Sequence, residues 1–189
     1  MQGLLRFSRY VDGLNGQVGR LVSWLILASV LVSSGNAMVR YVFDTSSNGW
    51  LELQWYLYSA VYLLCAGYTL SRNEHIRIDI LISHYPPRLR AWIDLLGGLF
   101  FLLPMALIIL WLSIPMVEES IYRNEVSSDA GGLLRWPVKI LIPIGFALLS
   151  LQGLSEIIKR IAFLKQLIPD PGAKRGGHGA EDVTLVEPV

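Results

Sequence analysis

The chain has 189 residues, of which 53% are hydrophobic and only 16% are charged. A soluble domain usually carries about 25% charged residues. This composition, together with a mean hydropathy of +0.47, therefore indicates a membrane protein. The formal net charge of +1 gives no overall attraction to nucleic acid, so no nucleic-acid partner is predicted. The single cysteine, Cys65, cannot form an internal disulfide and lies in an apolar run typical of a packing cysteine.

Four apolar segments are long enough to cross a lipid bilayer. A helix rises about 1.5 Å per residue and the hydrocarbon layer is about 30 Å thick, so about 20 residues are needed. The apolar runs are continuous rather than alternating, which argues against membrane-spanning strands. The sequence predicts an all-α integral membrane protein with four transmembrane helices, at residues 21–43, 50–70, 92–117 and 138–164.

The first apolar segment also resembles a secretory signal peptide, because "WLILASVLVSSGNA" ends in small residues. A twenty-residue segment precedes it, and the chain continues directly into "MVRYVF", neither of which is typical of a cleaved signal. We therefore expect a retained first span.

The distribution of Lys and Arg predicts the orientation of the spans. These residues are concentrated before the first span, in the hinge between spans two and three, and near the C-terminus. The opposite side carries only Arg40, Arg123, Arg135 and Lys139. Because cationic residues favour cytoplasmic loops, both termini and the hinge are predicted to face the cytoplasm.

The two ends of the chain are predicted to lie outside the lipid core. Residues 1–20 show one apolar stripe at helical spacing, formed by Leu4, Phe7, Val11, Leu14, Val18 and Leu21. This pattern predicts an amphipathic interfacial helix on the inner leaflet that leads into span one. Residues 165–189 are rich in Pro, Gly and charge, which predicts a disordered cytoplasmic tail.

Two of the predicted spans carry polar residues on one helical face. In span one they are Ser29, Ser33, Asn36 and Arg40, and in span two they include Glu52, Tyr56 and Ser59. An ionised side chain at mid-bilayer costs about 2.5–3.5 kcal/mol on insertion scales, so both faces are predicted to contact protein.

Glu52 has two interpretations. It could be an ion or proton site, or it could be a packing and pairing residue at the outer end of its span. Its position beside the short loop at residues 44–49 makes Arg40 a candidate ion-pair partner across that turn. The predicted depth of Glu52, near the outer surface, favours the structural interpretation.

The residues that membrane redox or enzyme chemistry would need are not found within the predicted spans. Haem ligation at membrane depth requires histidines there, but His75 and His84 lie in the hinge and His178 lies in the tail. We therefore predict no cofactor, no metal site and no catalytic residues. An independent small ion-coupled transporter acting as a homo-oligomer, with Glu52 as the coupling carboxylate, is an alternative. Such transporters usually show internal repeats and broken helices, which this sequence lacks.

The order and spacing of five segments resemble the small membrane subunit of tripartite ATP-independent periplasmic (TRAP) transporters. The resemblance extends over about residues 14–163. The segments are "NAMVRYVF", "WLELQWYLYSA", "EHIRIDIL", "PPRLRAWID" and "LLRWPVKILIPIGFALLSLQGLSEIIKRI".

This resemblance implies a multi-pass subunit of a secondary transporter in the inner membrane of a bacterium. In such a system a periplasmic binding protein captures an organic acid, and a large membrane subunit imports it with sodium. The small subunit is implied to be a non-catalytic brace for the large one, rather than an enzyme. Its implied partners are therefore the large membrane subunit, the periplasmic binding protein and the lipid bilayer.

The resemblance also implies where the partner subunit binds. The arginine and aspartate of the family's hinge motif match Arg77 and Asp79, and the acid of span two matches Glu52. With the polar faces and the start of span four, the candidate interface comprises Asn36, Arg40, Glu52, Tyr56, Arg77, Asp79, Arg135 and Trp136.

The segment at residues 118–135 is the only predicted periplasmic segment long enough to meet a docking protein. Its candidate docking residues are Glu118, Glu119, Arg123 and Glu125. The alternative is a solvated loop without a partner.

Overall fold

The computed structural model describes residues 2–45, 47–72, 85–169 and 171. Within these residues the chain forms four long helices and no strand, with one isolated antiparallel bridge between Val126 and Leu134. The helices are α1 (Gln2–Phe43), α2 (Asn48–Arg72), α3 (Pro87–Tyr122) and α4 (Trp136–Leu164). The prediction of an all-α protein is therefore confirmed for the described part of the chain.

Three of these helices, α1, α3 and α4, are long and apolar enough to cross a membrane. Helix α2 has 25 residues and is therefore also long enough, but it is not apolar enough to be counted with the other three. Its aromatic residues explain this, because Trp and Tyr combine an apolar ring with a polar tip. They are Trp50, Trp55, Tyr56, Tyr58, Tyr62 and Tyr68. The structure thus supports three spans, and the fourth remains a prediction.

Helix α1 runs without a break through the predicted interfacial segment and the first span. It has 42 residues and is about 63 Å long, roughly twice the thickness of the hydrocarbon layer. No proline interrupts it. The segment at residues 1–20 therefore leads into span one as one continuous helix, and its position at the membrane interface stays a prediction.

The N-terminal half of α1 packs its polar side against the protein. Ser8 and Asn15 are buried, whereas Phe7 and Leu21 of the predicted apolar stripe are exposed. Val11 is the one member of that stripe that is fully buried. Leu14 and Val18 are half-buried, so the apolar stripe is divided between the bundle and the exposed surface of the helix.

Helix α4 is the centre of the bundle and packs against each of the other three helices. Two of its glycines permit close approach. A Cβ atom at Gly145 would lie 2.7 Å from the carbonyl oxygen of Leu63 in α2, and one at Gly153 would lie 2.6 Å from the Leu102 side chain in α3. Small residues at helix crossings allow such contacts in membrane bundles.

Helix α3 contains one π-helical turn at Gly98–Leu102, immediately before Pro104. Proline lacks an N–H and its ring collides with the carbonyl group four residues earlier. Here the N–H of Leu103 bonds to the carbonyl oxygen of Gly98, five residues back. The wider turn accommodates Pro104 without ending the helix. Helix α3 then continues to Tyr122, five residues beyond the predicted end of the third span.

Candidate functional site

The carboxylate of Glu52 lies at the centre of a polar cluster at the α1–α2 turn end of the bundle. This residue is 5% exposed. One carboxylate oxygen accepts the backbone N–H of Leu133 at 2.6 Å, and the other accepts the hydroxyl of Ser127. Both partners belong to the segment between α3 and α4, residues 123–135, which we call the outer loop. Glu52 therefore ties the start of α2 to the outer loop.

Further contacts hold the same loop. The Tyr56 hydroxyl donates to the carbonyl oxygen of Leu134 at 2.9 Å, and the Asn48 amide donates to that of Ala130 at 3.1 Å. The loop turns back at Gly131, whose φ of +75° favours glycine. A Cβ atom at Gly132 would lie 2.9 Å from the Glu52 carboxylate. The loop therefore fits closely over the first turns of α2.

Glu125 attaches the outer loop to the helices that precede and follow it. Its carboxylate accepts the Ser120 hydroxyl at 2.8 Å and pairs with the ammonium group of Lys139 at the start of α4. The hydrogen bond from Lys139, followed by that from Ser120, lowers the pKa of Glu125 below the usual carboxyl value. Glu125 thus links the end of α3 to the start of α4.

The other candidate docking residues lie at the surface. Glu118 and Glu119 belong to the last turns of α3 rather than to a loop, and Arg123 follows directly. All three are exposed, and Glu119 pairs with Arg123 one helical turn later. Of the four residues predicted to dock a partner, three are therefore available at the surface, while Glu125 bonds within the chain.

The predicted Glu52–Arg40 ion pair is not among the contacts of the described residues. Arg40 is exposed, and the cation that acts on Glu52 is Arg135, whose guanidinium donates to the Ser127 hydroxyl at 3.4 Å. The outer loop supplies these partners from more than seventy residues away in sequence. Sequence proximity to Arg40 was therefore the wrong guide to the partner of Glu52.

A second polar cluster joins α1 to α4 at the opposite end of the bundle. Lys159 lies between two carboxylates, with its ammonium 3.0 Å from Asp12 and 2.6 Å from Glu156. The Gln152 amide donates to Asp12 at 2.7 Å and accepts from Asn15 at 2.9 Å. We call these five residues, with Ser8 and Ser155, the inner cluster.

The inner cluster is largely closed to solvent. Gln152 and Asn15 are completely buried. The hydroxyl groups of Ser8 and Ser155 lie 2.6 Å apart, and that of Ser155 also donates to Asp12 at 3.1 Å. Asp12 lies on α1, whereas its partner Gln152 lies on α4, 140 residues later in the sequence. Its position next to Lys159 could not be read from either helix alone.

A family comparison identifies the chain. Residues 20–163 match the family described as tripartite ATP-independent periplasmic transporters, DctQ component. The chain belongs to this family. Comparison with curated proteins and with solved structures found no match.

DctQ membership confirms the resemblance drawn from the sequence motifs and identifies a transporter subunit of a membrane protein family. DctQ components operate with a large TRAP membrane subunit and a binding protein. The matched region includes the whole of α2 and α3. It excludes the first nineteen residues, so Ser8, Asp12 and Asn15 of the inner cluster lie outside the DctQ match, while their partners on α4 lie within it.

The remaining candidate residues of this DctQ chain are only partly placed. Asn36 and Trp136 are half-buried on α1 and α4. Arg77 and Asp79 of the hinge lie outside the described residues, as does the tail beyond residue 171. A further ion pair, which the sequence did not predict, joins Asp94 of α3 to Arg160 of α4 at 2.9 Å. Within residues 2–45, 47–72 and 85–169, no group of three potential metal ligands occurs.

Proposed function

We propose that this DctQ-family chain is the non-catalytic small permease subunit of a TRAP-type secondary transporter in a bacterial inner membrane. It crosses the membrane four times with both termini in the cytoplasm. It braces a large membrane subunit that imports an organic acid with sodium, and a periplasmic binding protein delivers the substrate. Family membership supports the role of small component.

The bonding of Glu52 is the observation that carries the bracing role. This residue is the acidic group of span two that an independent ion-coupled transporter would use. Both of its carboxylate oxygens accept hydrogen bonds from the outer loop. A carboxylate that carries an ion must exchange its ligands during transport, whereas this one joins two fixed parts of the chain. The arrangement favours a structural role over a coupling role.

Polar contacts between helices at both ends support a rigid subunit. The outer loop is tied to α2 through Glu52 and to α4 through Glu125. At the opposite end, Asp12 joins α1 to α4 and Asp94 joins α3 to α4. Contacts of this kind limit relative motion of the helices, which suits a brace for a moving partner.

The bracing role is tested by comparing Glu52→Gln with the wild type in the complete transporter. The glutamine retains an acceptor for the Leu133 N–H, so we expect assembly and sodium-dependent uptake to persist in proteoliposomes. A loss of ion dependence with normal assembly would show that Glu52 couples transport. Uptake by the chain alone, without a large membrane subunit, would contradict the proposal directly.

The hinge supplies a test of the partner interface. We propose that Arg77 and Asp79 help to bind the large subunit, as the family resemblance implies. Separate charge reversals, Arg77→Glu and Asp79→Lys, are expected to reduce co-purification of the large subunit and uptake together. Arg9→Glu, on an exposed position of α1, is a matched control. Normal co-purification and normal uptake by both hinge variants would refute this interface.

A further inference from the structure

A groove of about 900 Å³ lies between α2 and α3, with α4 as its floor. Along α2 it extends from Val61 to Leu70, and along α3 from Ile93 to Met105. Gly97 faces open space, because a Cβ atom built there meets no other atom within 4 Å. The two helices are thus held against α4 while a space remains between them.

The α2 and α3 walls of the groove lie in one half of the bundle, against an α4 floor that extends from Gly145 to Arg160. Its α2 residues belong to the part of that helix nearest Arg72, and its α3 residues belong to the part nearest Pro87. Both helix ends lie on the side where α4 finishes at Leu164. The stretch from Val61 to Leu70 measures about 14 Å, close to half of a hydrocarbon layer about 30 Å thick. The α2 wall therefore corresponds in length to about one leaflet.

The lining changes from apolar to charged along the groove. Leu63, Phe101 and Met105 line the part nearest the middle of the bundle. Asp94, Glu156 and Arg160 line the end nearest the start of α1 and the end of α4. An apolar channel with a charged end has the same polarity profile as a phospholipid in that leaflet.

We propose that a phospholipid of the leaflet on the side of the start of α1 and the end of α4 occupies this groove. Its acyl chains lie along Phe101 and Met105, and its headgroup meets the charged end. That end carries both signs of charge, with the Asp94–Arg160 ion pair intact, so it suits a zwitterionic headgroup that combines a phosphate with an ammonium. This inference rests on the proposed four-span topology, but not on sodium coupling or on the substrate.

The limits of the α2 and α3 walls distinguish a lipid from a partner helix. A transmembrane helix of a partner subunit crosses both leaflets, and its packing surface would continue along the outer halves of α2 and α3. The lining instead ends at Val61 on α2 and at Met105 on α3. A ligand that is confined to a single leaflet fits this limit.

The first test fills the groove. The full-length chain, purified in mild detergent, is delipidated, mixed with palmitoyl-oleoyl phosphatidylethanolamine and examined by native mass spectrometry. We expect one bound lipid in the wild type and at least about a tenfold weaker affinity in Gly97→Leu. Gly35→Leu is the matched control, because Gly35 is also a helical glycine with nothing within 4 Å, but on α1. Equal binding by Gly97→Leu and the wild type, or no binding by the wild type, would overturn the proposal.

Two further lipids test the headgroup assignment in the same assay. Phosphatidylglycerol with the same acyl chains carries a net negative charge, and the matching diacylglycerol carries no phosphate. We expect phosphatidylethanolamine to bind more tightly than either. Equal binding of all three would refute the role of Asp94, Glu156 and Arg160 in headgroup recognition.

The second test uses the wild-type chain and does not depend on the folding of a variant. Cys65 is the only cysteine of the chain and lines the groove. We expect phosphatidylethanolamine to slow its modification by a maleimide several-fold. Unchanged labelling would contradict occupation of the groove by lipid. Cross-linking of Cys65 to the large subunit in the assembled transporter would show that a protein segment occupies the groove, while the transporter role itself would remain supported.

Discussion

At the scale of single residues, Glu52 illustrates how a buried charge is stabilised by distant parts of the chain. Its carboxylate accepts a backbone N–H from Leu133 and a hydroxyl from Ser127. A buried carboxylate that accepts such bonds is stabilised, whereas a buried one without partners is costly. The predicted ion pair between Glu52 and Arg40 was wrong, because the start of α2 packs against the outer loop. The candidate role of Glu52 at a partner interface stays a prediction.

Removing the Glu52 carboxylate should destabilise the outer loop. In Glu52→Ala, the N–H of Leu133 and the hydroxyl of Ser127 lose their acceptor, which costs about 1–3 kcal/mol for buried donors. We expect a lower midpoint of thermal unfolding in detergent and faster protease cleavage within residues 123–135.

Glu118→Ala is the matched control, because Glu118 is an exposed acid near the same end of the bundle. It should leave both measurements unchanged. If Glu52→Ala unfolds and is cleaved as the wild type is, the hydrogen bonds of Glu52 do not hold the loop.

The protonation of Glu125 should make the stability of the outer loop sensitive to acid. Its pKa is lowered in the folded chain, chiefly by the hydrogen bond from Lys139, so its ionised form stabilises folding. This stabilisation is fully present above the ordinary carboxyl pKa of 4.5 and is lost as the pH falls through the lowered folded value. Protease protection of the loop should therefore decrease as the pH falls from about 4.5 through the lowered folded value.

The variant Glu125→Gln isolates this contribution. It should show weaker protection at neutral pH and a smaller change between neutral and acidic conditions. Hydrogen exchange of the loop amides, corrected for intrinsic rates, provides the measurement at each pH. An identical pH profile in Glu125→Gln would assign the response to another group.

At the scale of secondary-structure elements, α1 departs most from the sequence prediction. Its predicted apolar stripe is divided, with Leu21 71% exposed and Val11 only 2% exposed. The buried side of the N-terminal half is polar because Ser8, Asp12 and Asn15 meet polar residues of α4. Helical periodicity distinguishes an apolar face from a polar face of α1. Which face packs against the protein depends on the side chains of the neighbouring helix.

Loss of the inner cluster should free the N-terminal half of α1. Asp12 accepts hydrogen bonds from Gln152, Ser155 and Lys159, all of them on α4. In Asp12→Ala these donors lose a shared acceptor. We expect hydrogen exchange of the α1 amides around residues 5–16 to become at least about tenfold faster, which corresponds to ~1.4 kcal/mol.

The control for Asp12 is Arg9→Ala, a charged residue in the same half of α1 that is exposed. It should leave exchange close to that of the wild type. Equal protection in Asp12→Ala would mean that the apolar contacts of Val11 and Val22 are sufficient to hold α1 against the bundle.

At the scale of the whole molecule, the first turns of α1 lie beside the last turns of α4. The contact between Ser8 and Ser155 places the N-terminal segment beside the last turns of α4. The outer loop lies at the opposite end, over the start of α2. This arrangement agrees with an even number of membrane crossings, and the bias of Lys and Arg predicts that the two termini are cytoplasmic.

Cysteine labelling of intact cells tests that topology. In a Cys65→Ser background, Ser128→Cys should react with a membrane-impermeant maleimide, because residue 128 is exposed in the outer loop. Gln2→Cys should react only after the cells are opened. Labelling of Gln2→Cys from outside intact cells would reverse the proposed orientation.

The sequence by itself determined the helical class, the long apolar helices and the family, because these follow from composition, periodicity and local motifs. It also indicated polar faces on α1 and α2. Tertiary structure decided which polar groups meet: Glu52 with the outer loop, Asp12 with Lys159, and Asp94 with Arg160. The reason is that lipid offers no hydrogen-bond partners, so membrane-depth polar groups must find protein partners. Those partners come from the helix packing, which local sequence does not encode.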